Sequence, residues 1–246
     1  MSFTKKSFLV FTLALLLVTP TLAVTAQNNN GSGESKTQKT ILAKVNGAEI
    51  TQQQLSQSAQ VYPIIMTLSR QYRTFGQFLM TSEAGQKFLT EYRKHVLDKL
   101  IDQQLQKQKI NDLGIAVSDE EVQKEIDKII ENNKQFEDEK SLKDYLKKNQ
   151  NMSLADLKTR MKESLKSQKL REEVTSDVTV TEEEINSYYE KNKKSFTDDE
   201  GNVKPLEEVK SQIKTTLKSQ KQNKAFSEWL EKAREEAEIV KNLENL

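Results

Sequence analysis

The residues that could do acid–base or metal chemistry are few. The 246-residue chain has one histidine, His95, and no cysteine. Zinc sites of the usual Cys/His kinds are therefore excluded, and a thiol nucleophile is absent. His95 falls beside an apolar helical stripe, where a lone imidazole is a packed or hydrogen-bonded side chain unless catalytic partners surround it. Adjacent carboxylates recur at Glu120-Glu121 and Glu182-Glu183. Both pairs stand in the first turn of a predicted helix, a solvated place that does not perturb a carboxylate toward catalysis. No phosphate-cradling glycine loop, nucleophile elbow or dinucleotide fingerprint occurs. The residues alone predict no active site, no metal and no cofactor.

Binding is better represented than catalysis. Residues 61–80 are dense in large apolar and aromatic side chains: Val61, Tyr62, Ile64, Ile65, Met66, Leu68, Tyr72, Phe75, Phe78, Leu79 and Met80. They are too many for one narrow helical stripe, and Pro63 and Gly76 are expected to interrupt regular helix there. The segment reads either as core beneath the other helices or as the lining of a groove for unfolded polypeptide. Methionine and aromatic side chains re-pack around varied partners, which suits the second reading. Val61, Tyr62, Ile65, Met66, Leu68, Tyr72, Phe75, Phe78, Leu79 and Met80 are the candidate peptide-binding residues.

Charge and leader set the context. Lys5 and Lys6 precede an apolar run over residues 8–18, and Pro20 breaks it. This is a secretion-signal pattern, with Val24-Thr25-Ala26 or Thr21-Leu22-Ala23 at the cleavage point. The run is short for a bilayer span, so a cleaved signal is expected, with an uncleaved anchor as the alternative. Of the 38 Lys and Arg, the two in the leader leave 36 against 37 Asp and Glu. That balance does not favour nucleic acid or acidic lipid as a partner. With no cysteine, a lipid anchor of the lipoprotein kind and any disulfide are both excluded. Residues 27–40 are polar and rich in Asn, Gly and Ser, a flexible-linker composition.

The elements that must position the apolar segment are mostly helical. Asn46-Gly47 between two apolar runs predicts a tight hairpin over 41–50. Thr51, Ser118 and Thr181 each precede a Gln or Glu by three residues, a capping-box pattern that starts a helix. An apolar stripe of Phe88, Leu89, Tyr92, Val96, Leu97, Leu100, Ile101 and Leu105 predicts a long helix over 85–112, closed by Gly114. Further helices are expected around Val122 to Ile130, Leu142 to Leu146, Leu154 to Leu165 and Ile185 to Tyr189. A last helix of roughly 45 Å is expected from Pro205. Its polar stretch 218–224 predicts a kink or a solvent-crossing span. Residues 237–240 are expected to close the hairpin as a third strand, since two strands alone are marginal in water. The fold class is mainly α with a small β element.

Three stretches resemble the SurA/PrsA-type export chaperones. Residues 45–52 resemble the entry hairpin of the SurA N-terminal chaperone domain. Residues 97–115 with 117–122 are similar to its central helices. Residues 178–196 with 205–239 are similar to its C-terminal portion. The resemblance implies one helical chaperone domain over 41–246, formed by an N-terminal part (41–177) and a C-terminal part (178–246). It implies an ATP-independent holdase outside the cytoplasm, whose partners are unfolded or newly exported proteins. In that family a parvulin prolyl-isomerase domain of roughly a hundred residues is an insert or appendage. Only 197–204 stands between Phe196 and Pro205, so the parvulin domain is expected to be absent and the chain not to be an enzyme. A divergent prolyl isomerase and an envelope scaffold with one specific partner are the alternatives.

Overall fold

A computed structural model describes residues 40–198 and 200–246. The expected signal segment and all of the expected linker except Thr40 lie outside the described residues. The chain opens with β1 (Ile41–Val45) and β2 (Ala48–Thr51), antiparallel across Asn46-Gly47. Asn46 and Gly47 have φ of 49° and 80°. Both central turn residues thus occupy the left-handed region that a two-residue hairpin requires. Three short helices follow: α1 (Gln52–Ala59), α2 (Val61–Gln71) and α3 (Arg73–Thr81). Then come α4 (Glu83–Asp112), α5 (Asp119–Asn132), α6 (Glu139–Gln150) and α7 (Leu154–Val174). The chain closes with α8 (Glu182–Asn192), α9 (Leu206–Glu236) and β3 (Ile239–Lys241).

Cap chemistry sets the helix starts. Thr51, Ser118, Asp138, Ser153 and Thr181 each accept from the N3 backbone N–H, while the N3 side chain accepts from the cap N–H. Two orphan donors are satisfied at each start. The N3 carboxylates also bind lysines of neighbouring helices: Glu121 pairs with Lys169 and Glu184 with Lys221, each at 2.6 Å. These lysines, and then the cap N–H groups, hold both carboxyls below the ordinary glutamate value of 4.5. The stability they lend is complete above that value and is lost as pH falls through their depressed folded values. The boxes therefore start helices and also tie α5 to α7 and α8 to α9.

Three apolar cores divide the helices. One joins α5, α6 and α7 through Val122, Ile126, Leu142, Leu146, Leu157 and Met161. A second lies under the sheet, where Leu42, Val45, Ile50 and Leu55 meet Leu97, Ile101 and Leu105 of α4. The third joins Ile185 of α8 to Val209 and Ile213 of α9. The polar stretch 218–224 does not interrupt α9, which is continuous over Leu206–Glu236. It spans instead between the third core and the second, where Leu230 and Ala233 pack. Along that span Lys221 bonds Glu184, and Gln222 lies 3.3 Å from the Thr175 hydroxyl. Arg171 bonds Asn223 and lies over the Phe226 ring, 4.3 Å from its centroid. A helix with one apolar stripe can cross a polar gap when partners of this kind flank it.

The two ends of the described stretch meet at β1. The sheet order is β2-β1-β3, with Val45 opposite Ile239 and Ala43 opposite Lys241. Asn46 is clasped from both sides: its backbone N–H and side-chain oxygen exchange bonds with Glu238, and its amide NH₂ donates to Gln108 of α4. Beneath the sheet, Asp102 is almost wholly buried on α4. Arg234 of α9 donates to it from Nε at 2.5 Å and to the Asp98 carbonyl from a terminal nitrogen. Hydrogen bonding to Asp102 raises the Arg234 pKa above its ordinary value. Removing one partner strands the other in a poorly hydrated place, which costs about 3–5 kcal/mol for a fully buried pair. Arg234 keeps about a third of its side chain in water, so about 2 kcal/mol is expected here. Thermal denaturation of Asp102→Ala is therefore expected to show a midpoint about 5 °C lower, whereas Asp144→Ala, in an exposed i,i+4 pair with Lys140, leaves it nearly unchanged.

Candidate functional site: an apolar helical arm

The arm is α2 and α3, folded back on each other and fixed to the start of α4. Pro63 does not interrupt α2, because it stands in the first turn, where its missing N–H costs nothing. Gly76 does not interrupt α3 either. The breaks fall at Gln60, with φ 46° and ψ 33°, and at Tyr72, with φ −134° and ψ 71°. Both glycines serve packing instead. A Cβ on Gly76 would lie 2.1 Å from the Ser69 hydroxyl oxygen, and one on Gly85 would lie 2.4 Å from the Phe78 carbonyl. Only hydrogen at these positions lets α3 approach α2 and α4 so closely.

Close approach of backbones leaves little side-chain surface to bury. Ile65 and Leu79 are buried, and Val61, Met66 and Leu68 are half-buried. Tyr62 is 72% exposed and Tyr72 62%, and Phe75, Phe78 and Met80 are also exposed. Of the ten candidate residues, two are thus core, three half-buried and five surface. Phe75 and Phe78 stack with ring centroids 6.4 Å apart. Ile64 and Phe88 extend the exposed set. Phe88 corrects the sequence-based stripe, which placed it in the core: Leu89 takes the buried position, and Phe88, about 100° round the helix, faces solvent beside the arm. His95 is exposed on α4.

A cavity of about 520 Å³ lies where the arm meets α1 and α4. Of the sequence-predicted residues, Val61, Tyr62, Ile65 and Met80 line it, together with Leu55, Ala59 and Leu89. Met66, Leu68, Tyr72, Phe75, Phe78 and Leu79 do not. Leu55 and Ala59 escaped the sequence reading because they stand on α1, outside the dense apolar run. Their i,i+4 spacing was the available signal. Tyr92 of α4 donates its hydroxyl to the Ala59 carbonyl at 3.1 Å, which pins the end of α1 at the cavity wall. Among the described residues no three His, Asp or Glu gather as a metal-binding group, and no helix is long and apolar enough to cross a membrane. Gln52, Ser56, Gln86, Arg93 and Asn245 also line the cavity, so its apolar wall is edged by polar groups, and such a mixture suits binding.

Comparison with known proteins identifies the relatives. The SurA-like N-terminal domain profile matches residues 1–171. A PPIC-type PPIase domain profile matches residues 180–244. The second match overturns the expectation that the parvulin domain is absent, and with it the expectation that the chain is not an enzyme. The sequence reading had looked for an insert between Phe196 and Pro205. The match instead lies across both sides of that junction, on α8, α9 and β3. Foldase protein PrsA of Clostridium botulinum strain Okra is 31% identical over 196 residues, covering 79% of this chain and 56% of the relative. Foldase protein PrsA of Caldanaerobacter subterraneus is 30% identical over 157 residues, covering 63% and 44%. The chain thus spans about half the length of the curated relatives it matches. A solved structure from Campylobacter jejuni, described with the virulence factor PEB4 and a periplasmic protein as two related SurA-like chaperones, superposes with a TM-score of 0.60 at 16% identity. It covers 82% of this chain and 98% of its own, and it shows the shared fold.

The Gly85 contact gives a local test of the arm. Alanine gains about 1 kcal/mol over glycine in a helix interior, but here its methyl meets backbone that cannot rotate away. Gly85→Ala is therefore expected to be net destabilising by up to about 2 kcal/mol. Hydrogen exchange should show faster amides in α3, with α5 to α7 unchanged.

Proposed function

The chain belongs to the SurA-like N-terminal domain family, and from that premise we propose that it holds unfolded or newly exported polypeptides outside the cytoplasm, without ATP, on the α2–α3 arm. The observation that carries the proposal is the exposure of Tyr62, Ile64, Tyr72, Phe75, Phe78 and Met80 on two short helices, with Phe75 and Phe78 stacked and Tyr62 and Met80 at the cavity. Soluble monomers seldom leave so many large apolar side chains together in water unless the surface binds something. Shape-insensitive apolar contact suits clients that share no sequence. The leader-like N-terminal sequence and the relatives named as foldases and SurA-like chaperones support an extracytoplasmic setting. Near-equal numbers of acidic and basic residues support clients of either charge.

The PPIC-type match favours a second reading, prolyl isomerisation by residues 180–244. Uncatalysed X-Pro isomerisation takes tens to hundreds of seconds. A proline-limited refolding phase that speeds up at substoichiometric amounts of the chain would establish this activity. A phase that slows or loses amplitude only at stoichiometric amounts would indicate holding.

Light scattering of an aggregating client tests the principal reading. The parent chain is expected to suppress aggregation near one-to-one stoichiometry, and Tyr72→Ser/Phe75→Ser/Phe78→Ser to lose most of that suppression. Because all three side chains are exposed, circular dichroism of the variant should match the parent. Unchanged suppression, or loss of helicity, would show that these residues do not form the binding face.

A further inference from the structure

On the far side of α1 from the apolar cavity lies a second cleft of about 590 Å³, formed by α1, α4 and α7. Its chemistry differs from that of the arm. Gln54 and Gln57 of α1, Gln103 and Gln104 of α4 and Ser164 and Ser167 of α7 line it. Ile50, Leu100 and Ile110 also contribute, so the amides stand among some apolar surface. Gln54 accepts from the α1 cap with its carbonyl oxygen, which leaves its NH₂ unused. Gln57 and Gln104 are half-buried, yet neither side-chain amide makes a hydrogen bond with the described residues. Among the described residues no buried side-chain nitrogen or oxygen lacks a partner, so these amides face the cleft's solvent and not a packed interior. The charges in the cleft offer no strong anchor: Lys166 and Glu163 pair with each other at 2.8 Å, and Lys107 is exposed.

A cleft lined by unbonded carboxamides matches the chemistry of the peptide group. Each Gln carries a donor and an acceptor of the same kind as backbone N–H and C=O, and rotation about its last torsion exchanges their positions. Such a lining can pair with an extended main chain in any register and ignores side-chain identity. An anion or a cation would find no fixed counter-charge. We propose that this cleft is a main-chain subsite for the same unfolded polypeptides, a reading that rests on the holding function proposed for the arm. Helix α1 is the wall between the two sites: Leu55 and Ala59 face the apolar cavity, and Gln54 and Gln57 face the amide cleft. One extended segment crossing α1 would place apolar side chains on one flank and bare backbone on the other. Two weak sites joined in this way bind more tightly than either alone.

The test uses the full chain and labelled, unstructured peptides followed by fluorescence anisotropy. The first peptide contains only Ser, Thr and Gly, the second is its backbone N-methylated counterpart, and the third carries added Leu and Phe. Gln57→Met/Gln104→Met keeps side-chain length and helix propensity but removes both amides. It is expected to weaken the Ser/Thr/Gly peptide roughly fivefold, as for loss of two neutral hydrogen bonds. With the parent protein, N-methylation is expected to cause a similar or larger loss. The N-methylation comparison needs no variant, so it stands even if the substitution disturbs folding. Equal binding of the first two peptides, or a Met variant equal to the parent, overturns the main-chain subsite. If the Leu- and Phe-bearing peptide still binds and depends on Phe75 and Phe78, the subsite alone has failed. If no peptide binds, both readings fall.

Discussion

The Arg234–Asp102 ion pair joins residues 132 positions apart in the sequence, and the architecture depends on it. An aspartate buried within an apolar helix stripe is costly unless a cation reaches it. The cation comes from the last turns of α9, so that helix must lie along α4. Once it does, Leu230 and Ala233 enter the second core and β3 arrives beside β1. Lys241 adds a bond to Asp98, one turn before Asp102. The small sheet, the long last helix and the spine helix thus satisfy one another, and two hairpin strands that would be marginal alone become the middle and edge of a closed element.

The arm follows from a contrary use of residues. Where the body joins its helices through apolar stripes, α3 meets α2 at Gly76 and α4 at Gly85, each glycine letting the backbones come close. The large side chains are left at the periphery. Exposure of Tyr72, Phe75 and Phe78 carries a solvation cost that packing could have removed. Segments held by few buried contacts are also those that open most easily. On the function proposed for the arm, a surface that is apolar and aromatic would adapt to clients of many shapes.

Much of the fold was legible in the sequence because its signals are local. Asn46-Gly47 marked the hairpin, the Thr51, Ser118 and Thr181 boxes marked helix starts, and Gly114 marked the end of α4, with φ of 62°. The closing strand was legible from residues 237–240 because the hairpin needed a third strand. What failed was non-local. Pro63 and Gly76 looked like breaks because helix propensity takes no account of position within a turn or of a neighbouring backbone. Phe88 looked buried because a stripe does not say how wide the covering partner is. Asp102 and Arg234 were overlooked, since neither is unusual without the other; an acid among Leu97, Ile101 and Leu105 was the clue. At the site, the sequence located the apolar segment but could not divide it. Only tertiary packing assigns Ile65 and Leu79 to the core, Val61 and Met80 to the cavity, and Phe75 and Phe78 to the open face. The match over 180–244 is not legible as an insert, because it runs through α8, α9 and β3 on both sides of the Phe196–Pro205 junction.

The central claim is that unfolded polypeptide docks on the α2–α3 arm. The absence of cysteine makes a direct map possible, since any introduced thiol is unique. Single-cysteine variants at Arg73 and Gln77 on the arm, and at Lys140 and Lys232 far along the chain from it, would each carry a photoreactive cross-linker and be irradiated with a radiolabelled unfolded client. Strong cross-linking is expected from positions 73 and 77 and little from 140 and 232. Equal labelling from all four positions, or labelling confined to 140 and 232, would contradict docking on the arm.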